Sequence, residues 1–278
     1  MTACAQVSAR PTYAADQFVL VNGARLRFRD EGRGPAVLLM HGWTLDLEMW
    51  DPQVAGLRDS FRLIRLDRRG HGLSGGTPAA ERDGADLAAF CRHLQLRRVA
   101  LLGMSQGVRG VLGFACAAPA AVDAVIVDGP PALDAAVDPD VPVERYAALA
   151  RTQGIEAFRR EWARHELMAL RTRDPDMRSL LTAMIARYPG TDLRQPAISD
   201  APAAVNLHCV TAPALVLSGE HDLAGRRRAA RQLAARLPDA ELAVVPEAGH
   251  LPNLDSADTY NGLCRTFLTR HLSARHPP

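Results

Sequence analysis

The chain has 278 residues, of which 47% are hydrophobic and 23% are charged, and its formal net charge is +2. A charge so close to neutrality implies no strong attraction to nucleic acid or to an anionic membrane, so we expect neither as a partner. The length and the apolar content predict one domain with a large core and room for an inserted subdomain. All 33 basic residues are arginines, which with the abundant alanines indicates GC-rich coding DNA and a bacterial source.

The N-terminus and the cysteines indicate where the protein works. Residues 1–15 contain no basic cluster followed by an apolar core, so we predict a loose tail and no secretory signal. The longest apolar stretch, residues 111–127, is broken by a proline and an aspartate, which is not typical of a membrane span. The cysteines are scattered and odd in number, which favours reduced thiols and a cytoplasmic protein; they are Cys4, Cys91, Cys116, Cys209 and Cys264.

Short apolar runs predict eight strands along the chain. From the third run onward the residues are almost continuously apolar, which is typical of strands that helices cover on both faces. The predicted strands are Val19–Val21, Leu26–Arg29, Ala36–Met40, Leu63–Leu66, Val99–Leu102, Ala124–Val127, Ala214–Leu217 and Leu242–Val245.

Helical patterns alternate with these strands. This alternation predicts an α/β fold with a mostly parallel, doubly wound sheet. The predicted helices cover about residues 48–58, 84–95, 106–118, 226–236 and 257–272.

One connection between strands is much longer than the others. Residues 128–213 show no clear strand but three helical patterns, near 142–152, 155–170 and 174–187. Long connections are usually functional, and ligands of open α/β sheets bind at the C-terminal ends of the strands. We therefore predict a helical cap over that edge. The expected division is a core of residues 16–130 and 210–278 and a cap of residues 131–209.

The run Gly103-Met104-Ser105-Gln106-Gly107 is the most informative motif. It lies between a predicted buried strand and a predicted helix, the context of a nucleophile elbow, in which a sharp turn exposes a reactive serine. A second G-x-S-x-G match surrounds Ser74, but Thr77 and Pro78 follow it as loop signals and no helical pattern does. The context therefore favours Ser105 as the nucleophile, whereas Ser74 lies in a loop.

A serine hydroxyl needs a neighbouring base, and the base needs a carboxylate that orients it and stabilises its cationic form. His250 follows the last predicted strand in a glycine-containing loop and is the candidate base. Asp222 follows the strand before it and is the candidate acid, because a serine, then an acid, then a histidine is the chain order of this type of site. Asp128, at the end of the preceding strand, remains the alternative acid.

A tetrahedral intermediate needs two backbone N–H donors. We expect one from Gln106, directly after the nucleophile, and one from Trp43, in the loop after an early strand. The sequence contains no H-E-x-x-H and no Cys/His cluster with zinc spacing, so neither a metal nor another cofactor is expected.

The substrate pocket is predicted between the cap and the elbow. Ile155, Phe158, Trp162, His165 and Ala169 recur at helical spacing and share one face of a predicted cap helix. Packing on the core explains the first two, whereas Trp162 and His165 are expected to reach the pocket. Two neighbours of the proposed catalytic residues, Met104 and Leu251, complete the expected lining.

Taken together, these motifs resemble the α/β-hydrolase family over residues 18–272. The pieces that carry the resemblance are His41-Gly42-Trp43, Asp67-Arg68-Arg69-Gly70-His71-Gly72-Leu73-Ser74, the elbow at Ser105, Gly219-Glu220-His221-Asp222 and Gly249-His250. Residues 46–53 and 250–253 are most similar to the branch of serine esterases, non-haem perhydrolases and enol-lactonases. The chain departs from that branch in having Leu223-Ala224-Gly225 after the acid, where a proline is usual.

The resemblance implies a serine hydrolase that acts on a small carboxylic ester or lactone, with water as the second substrate. Two alternatives remain at the level of the sequence. One is a hydrolase that cleaves a carbon–carbon bond in a ring-cleavage product with the same three residues. The other is a non-catalytic ligand receptor on the same fold. The sequence leaves open whether the chain forms a homo-oligomer.

Overall fold

A single sheet organises the molecule. The computed structural model describes residues 13–134, 138–194 and 206–272. The strands are β1 Gln17–Val21, β2 Ala24–Glu31, β3 Ala36–Met40, β4 Arg62–Leu66, β5 Val99–Met104, β6 Val122–Asp128, β7 Ala214–Gly219 and β8 Ala240–Val245. They form an 8-stranded sheet in the order β1-β2-β4-β3-β5-β6-β7-β8. All eight predicted strands are therefore present.

The sheet is mostly parallel. The first two strands pair antiparallel, and β2 also pairs antiparallel with β4. From β4 to β8 every neighbouring pair is parallel. Strand β4 lies on one side of β3, and β5 lies on the other, so the order of the strands changes direction at β3. Such a change opens a crevice at the C-terminal ends of β3 and β5. This confirms the predicted doubly wound α/β architecture.

Helices cover both faces of the sheet. Those of the described residues are α1 Asp51–Leu57, α2 Asp83–His93, α3 Gly107–Ala117, α4 Val143–Gln153, α5 Ile155–Trp162, α6 Pro175–Arg187, α7 Thr191–Arg194, α8 Ala224–Arg236, α9 Pro252–Asp255 and α10 Ala257–Leu272. None of them is both long and apolar enough to cross a membrane.

The side chains of each central strand alternate between two apolar clusters. On β3, Val37 and Leu39 belong to one cluster, whereas Leu38 and Met40 belong to the other. The first cluster continues into α1, α10 and the helices between β6 and β7, and the second continues into α2, α3 and α8. Burial on both faces explains why these strands are almost continuously apolar.

The segment between β6 and β7, residues 129–213, is called the insertion below. Its helices α4 and α6 lie close to the predicted positions. The prediction of one helix over residues 155–170 is wrong, because α5 ends at Trp162 and a short 3-10 helix, Glu166–Met168, follows. His165 has extended backbone angles, and its Nδ1 accepts a hydrogen bond from the N–H of Leu167 (3.2 Å). The spacing of the predicted face runs on through His165 and Ala169, but Ala169 is exposed and the buried residues of this turn are Leu167 and Met168.

Candidate active site

Ser105 lies on a sharp turn between β5 and α3. Its φ is 51°, in the left-handed region that side chains other than glycine rarely adopt. A backbone N–H donates from Ser105 to the carbonyl of Asp128 (2.8 Å) and fixes this turn. A Cβ on Gly107 would lie 2.6 Å from the His41 carbonyl oxygen, and one on Gly103 would lie 2.9 Å from the Gly107 carbonyl oxygen. Both glycines of the motif are therefore required by close packing.

His250 lies between Ser105 and Asp222. Its Nδ1 is 2.9 Å from Asp222 Oδ2, and its Nε2 is 3.1 Å from Ser105 Oγ. With the proton on Nδ1, the imidazole donates to the carboxylate and accepts from the serine hydroxyl. The second carboxylate oxygen accepts from the N–H of Leu223 (2.7 Å). Both partners are almost completely buried, so their hydrogen bond is shielded from water.

A glycine makes room for this pair. Gly129 has a φ of +52°, and a Cβ at that position would lie 2.9 Å from Cε1 of His250. The bend after β6 therefore brings the backbone of Gly129 against the imidazole. A residue with a side chain would clash with the ring, and its backbone would be strained at this positive φ.

The alternative acid, Asp128, does not contact His250. Its carboxyl is fully buried and, among the described residues, accepts no hydrogen bond of good geometry; the Tyr260 hydroxyl is its polar neighbour. Burial, reinforced by the nearby Asp222 carboxylate, raises the pKa of Asp128 well above its usual value. Without a hydrogen bond to His250, this carboxyl is not placed to orient the imidazole. The geometry thus brings Asp222, rather than Asp128, to the histidine.

The backbone of the loop after β3 packs against Ser105. A Cβ on Gly42 would lie 3.3 Å from the Ser105 Cβ and 2.8 Å from Met104 Sδ, so a side chain at this position would be crowded. The backbone N–H groups of the next residue, Trp43, and of Gln106 donate to no other group within the part of the chain that the structure describes. Both are therefore free to bind a substrate oxygen beside the serine.

Arg68 orients the side chain of Gln106. Its Nη1 donates to Gln106 Oε1 (2.6 Å), while its Nε and Nη2 both donate to Asp83 Oδ2 (2.9 and 2.6 Å). The backbone N–H of Arg68 donates to His41 Nε2 (2.9 Å). This network links the loops that follow β3, β4 and β5. The sequence shows these residues only as loop motifs.

Two further buried histidines hold loops. His41 Nδ1 bonds the Gly42 carbonyl (2.7 Å), and His71 Nδ1 bonds the Arg69 carbonyl (3.0 Å). Burial lowers the pKa of His41 well below its usual value and that of His71 to about 4. Both are therefore neutral near pH 7, and neither contacts Ser105 as a base would.

A cavity of about 430 Å³ lies between the insertion and the strand ends. Ser105 and His250 are on its floor, and Trp43, Gln106, Met104 and Trp162 line it, as do Arg68, Arg109, Asp192 and Arg226. The remaining predicted pocket residues do not line it. His165 stacks behind Trp162 (ring centroids 4.7 Å apart), because the chain leaves the helix at that point. Leu251 is fully buried in the core.

Asp192 is a cavity residue that the sequence did not reveal. One carboxylate oxygen accepts from the indole Nε1 of Trp43 (2.7 Å), and the other accepts from the Tyr188 hydroxyl. It lies in α7, a helix of four residues, 149 positions from Trp43 in the chain. No local pattern reports a contact between residues so far apart.

One exposed group away from the cavity has the composition of a metal site. The ligand atoms of Glu220, His221 and Glu247 all lie within 4.8 Å of one another. All three side chains are exposed, and exposed acidic groups commonly occur without an ion. The serine, imidazole and carboxylate described above do not involve this group.

Comparison with known proteins places this geometry in a family. A family model described as the alpha/beta hydrolase fold matches residues 35–257. A carboxylesterase, YbfK of Bacillus subtilis, is 26% identical over 243 residues, which are 84% of this chain and 80% of that protein.

Solved structures agree over nearly the whole chain. A thermophilic esterase from Thermogutta terrifontis, solved with malate bound, matches with a TM-score of 0.79 and 27% identity, covering 93% of this chain and all 100% of its own. The enol-lactonase from Burkholderia xenovorans LB400 matches with a TM-score of 0.75 and 26% identity, covering 91% and 100%. With its mostly parallel sheet, its serine elbow and its family match, the chain belongs to the α/β-hydrolase family.

Proposed function

We propose that this protein is a serine hydrolase that cleaves a small carboxylic ester or lactone through an acyl-enzyme on Ser105. The observation that carries the proposal is the position of His250, which is within hydrogen-bond distance of both Ser105 Oγ and Asp222 Oδ2. A nucleophile, a base and an orienting acid in this arrangement form the three-residue unit of serine hydrolases. Because no step needs a metal or an organic cofactor, none is proposed.

The first half of the reaction acylates the serine. Ser105 Oγ attacks the carbonyl carbon of the substrate while His250 Nε2 takes the hydroxyl proton. The negative charge moves to the carbonyl oxygen, where the N–H groups of Trp43 and Gln106 donate to it. Asp222 stabilises the imidazolium. The C–O bond to the alcohol then breaks, and His250 returns its proton to the departing oxygen, or to the ring-opened hydroxyl of a lactone.

The second half releases the acid. Water loses a proton to His250 Nε2 and attacks the acyl carbon, and the same two N–H groups bind the new oxyanion. The bond to Ser105 breaks, and the proton on His250 passes to Ser105 Oγ. The free enzyme is regenerated without any net change in the protein.

The cavity limits the size of the substrate. A volume of about 430 Å³ lies within the range of sites for small molecules, which is roughly 300–1,000 Å³. Apolar side chains such as Leu45, Val141 and Leu193 line much of it, and the described relatives include a carboxylesterase and an enol-lactonase. We therefore propose an uncharged ester or lactone group as the part that enters. The free cysteines favour action in the cytoplasm.

Substitution of the two competing serines tests the proposal. We expect Ser105→Ala to lower kcat for a p-nitrophenyl ester by several orders of magnitude, because it removes the hydroxyl that lies within hydrogen-bond distance of His250 Nε2. The matched control is Ser74→Ala. The Ser74 hydroxyl accepts from the N–H of Arg27 (2.8 Å) and donates to the carbonyl of Asp67 (2.8 Å), so its loss should lower stability and leave kcat nearly unchanged.

The same variants distinguish the proposal from its alternatives. A fluorophosphonate should label the wild-type protein and the Ser74→Ala variant, but not Ser105→Ala. Absence of labelling in the wild type would favour a non-catalytic receptor. Turnover of a vinylogous 1,5-diketone with no turnover of esters or lactones would favour carbon–carbon bond hydrolysis.

A further inference from the structure

Three side chains of the insertion bond the loop that follows β3. This loop, residues 41–46, is called the β3 loop below and contains the proposed oxyanion donor Trp43. Trp162 of α5 donates from Nε1 to Thr44 Oγ1 (2.7 Å). Arg187 of α6 donates from Nε and Nη2 to Asp46 Oδ2 (3.1 and 2.8 Å). The third contact is made by Asp192.

Asp192 holds the side chain of the oxyanion donor itself. Its Oδ2 accepts from Trp43 Nε1 (2.7 Å), and its Oδ1 is occupied by the Tyr188 hydroxyl, so the carboxylate is fixed from both sides. The Trp43 ring also packs edge-on against Trp162, with ring centroids 5.0 Å apart, and lies 5.7 Å from the ring of Phe158. The core-domain tryptophan is thus embedded among side chains of the insertion.

The backbone of the same residue faces the reaction. Trp43 follows Gly42, whose backbone packs on Ser105, and both line the cavity beside the serine. The next residue, Thr44, has a φ of 64°, so the loop adopts a strained conformation that its surroundings must maintain. The indole and the backbone N–H belong to the same residue, so a displacement of the loop at Trp43 moves both, and anchoring the indole opposes that displacement. A donor that is misplaced by a fraction of an ångström stabilises the oxyanion less.

We propose that Asp192 is a positioning residue of the oxyanion hole, which acts by fixing the Trp43 indole and thereby aligning the backbone N–H of Trp43. The inference rests on the proposed hydrolase function. It implies that this donor is aligned only while the insertion is packed against the β3 loop. Asp192 does not touch the reacting atoms.

The test compares Asp192→Ala, Asp192→Asn and Trp43→Phe. Alanine removes the acceptor, asparagine keeps an oxygen that can accept from the indole, and phenylalanine keeps the ring and the backbone N–H but removes the indole donor. For a p-nitrophenyl ester we expect Asp192→Ala and Trp43→Phe each to lower kcat about tenfold, less than the 10²–10³ that loss of a whole donor costs. KM should change less than twofold, and Asp192→Asn should restore most of kcat.

A transition-state analogue separates positioning from general destabilisation. A trifluoromethyl ketone forms a bond from Ser105 Oγ to its carbonyl carbon, with the serine proton passing to His250, and places an oxyanion in the hole. Its inhibition constant should rise about tenfold in both Asp192→Ala and Trp43→Phe, in proportion to the loss of kcat. The double variant should be no worse than either single variant, because both remove one hydrogen bond.

The matched control is Asp174→Ala. Asp174 caps α6 of the same insertion by accepting from the N–H of Asp176 (2.8 Å) and does not line the cavity. The Asp174→Ala substitution should lower the melting temperature of the protein and leave kcat and the inhibition constant unchanged. Folding of each variant is checked by circular dichroism, and Trp43→Phe tests the same bond if Asp192→Ala fails to fold.

Two outcomes would overturn the inference. One is a folded Asp192→Ala or Trp43→Phe protein with wild-type kcat and wild-type affinity for the ketone. The other is a double variant in which the two losses multiply, because separate actions would then be involved. Failure of the hydrolase function itself looks different: Ser105→Ala would then keep its activity, or the wild type would have none.

Discussion

At the scale of single residues, two buried aspartates illustrate how the environment determines the role. Asp222 accepts hydrogen bonds from His250 and from the backbone N–H of Leu223. Asp128, at the end of the neighbouring strand, has only the Tyr260 hydroxyl as a polar neighbour among the described residues, and burial raises its pKa. Both follow late strands of the sheet, so their positions in the sequence do not distinguish them. The hydrogen-bond donors around each carboxyl do.

The corresponding substitutions should differ by orders of magnitude. We expect Asp222→Asn to lower kcat about 10³–10⁴-fold, because a neutral amide cannot stabilise the imidazolium and its NH₂ group favours the wrong tautomer of His250. Asp128→Asn keeps the shape of a side chain that makes no hydrogen bond to His250 and should leave kcat close to the wild-type value. Steady-state kinetics of the two variants measure this difference. A large loss in Asp128→Asn with little loss in Asp222→Asn would reverse the assignment of the acid.

At the scale of secondary-structure elements, α3 is positioned by the absence of side chains at its start. Gly107, its first residue, approaches the backbone of β3 so closely that a Cβ would lie 2.7 Å from the Met40 carbonyl oxygen. Backbone atoms of a central strand cannot move aside. Gly113, two turns later on the same helix, has nothing within 4 Å of an added Cβ. The two positions therefore provide a matched pair.

We expect opposite effects on stability from alanine at these two glycines. Gly107→Ala should lower the free energy of unfolding by about 2–3 kcal/mol, as overpacking in a rigid core does. Gly113→Ala should raise it by about 0.5–1 kcal/mol, because alanine is the better helix former. Urea denaturation of both variants provides the measurement. Equal effects at the two positions would show that helix propensity, rather than the close approach to β3, dominates at Gly107.

Strands and the elbow were predictable from the sequence for a physical reason. Burial on both faces makes the central strands continuously apolar, and the glycines around Ser105 are imposed by close contacts, so both leave a local signature. The end of α5 left none, because His165 and Ala169 fall at helical spacing although the chain has left the helix before them. A helix of four residues such as α7 is too short for periodicity to reveal.

The candidate site was predictable to the same extent. Ser105, His250 and Asp222 each follow a strand, and the C-terminal ends of parallel strands meet at one edge, so topology brings them together. Asp192 escaped because its partner, Trp43, is on a distant loop. His165 was expected in the cavity because the predicted helix was too long. Contacts that depend on where an irregular segment turns are not encoded by local spacing.

At the scale of the whole molecule, the insertion and the sheet share one apolar cluster. Tyr146, Phe158 and Trp162 of the insertion belong to the same cluster as Leu39 of β3 and Phe267 of α10. Hydrogen bonds from Trp162, Arg187 and Trp43 cross the same boundary. An insertion packed in this way lacks a separate core, and its stability is coupled to that of the sheet.

This coupling predicts a single unfolding transition. Phe158 is fully buried in the shared cluster, against the rings of Trp43, Tyr146 and Tyr188. We expect Phe158→Ala to lower the free energy of unfolding by about 3–5 kcal/mol, as other large-to-small changes of buried aromatic residues do. Because the cluster is shared, tryptophan fluorescence and far-ultraviolet circular dichroism should report the same midpoint of denaturant unfolding, in the wild type and in Phe158→Ala alike. The milder Phe158→Leu should shift that midpoint less and keep the two signals coincident. Fluorescence reports on Trp43, Trp50 and Trp162. If part of its change came at a lower denaturant concentration than the change in dichroism, the insertion would unfold by itself, and alignment of the oxyanion donor would then vary with that local equilibrium.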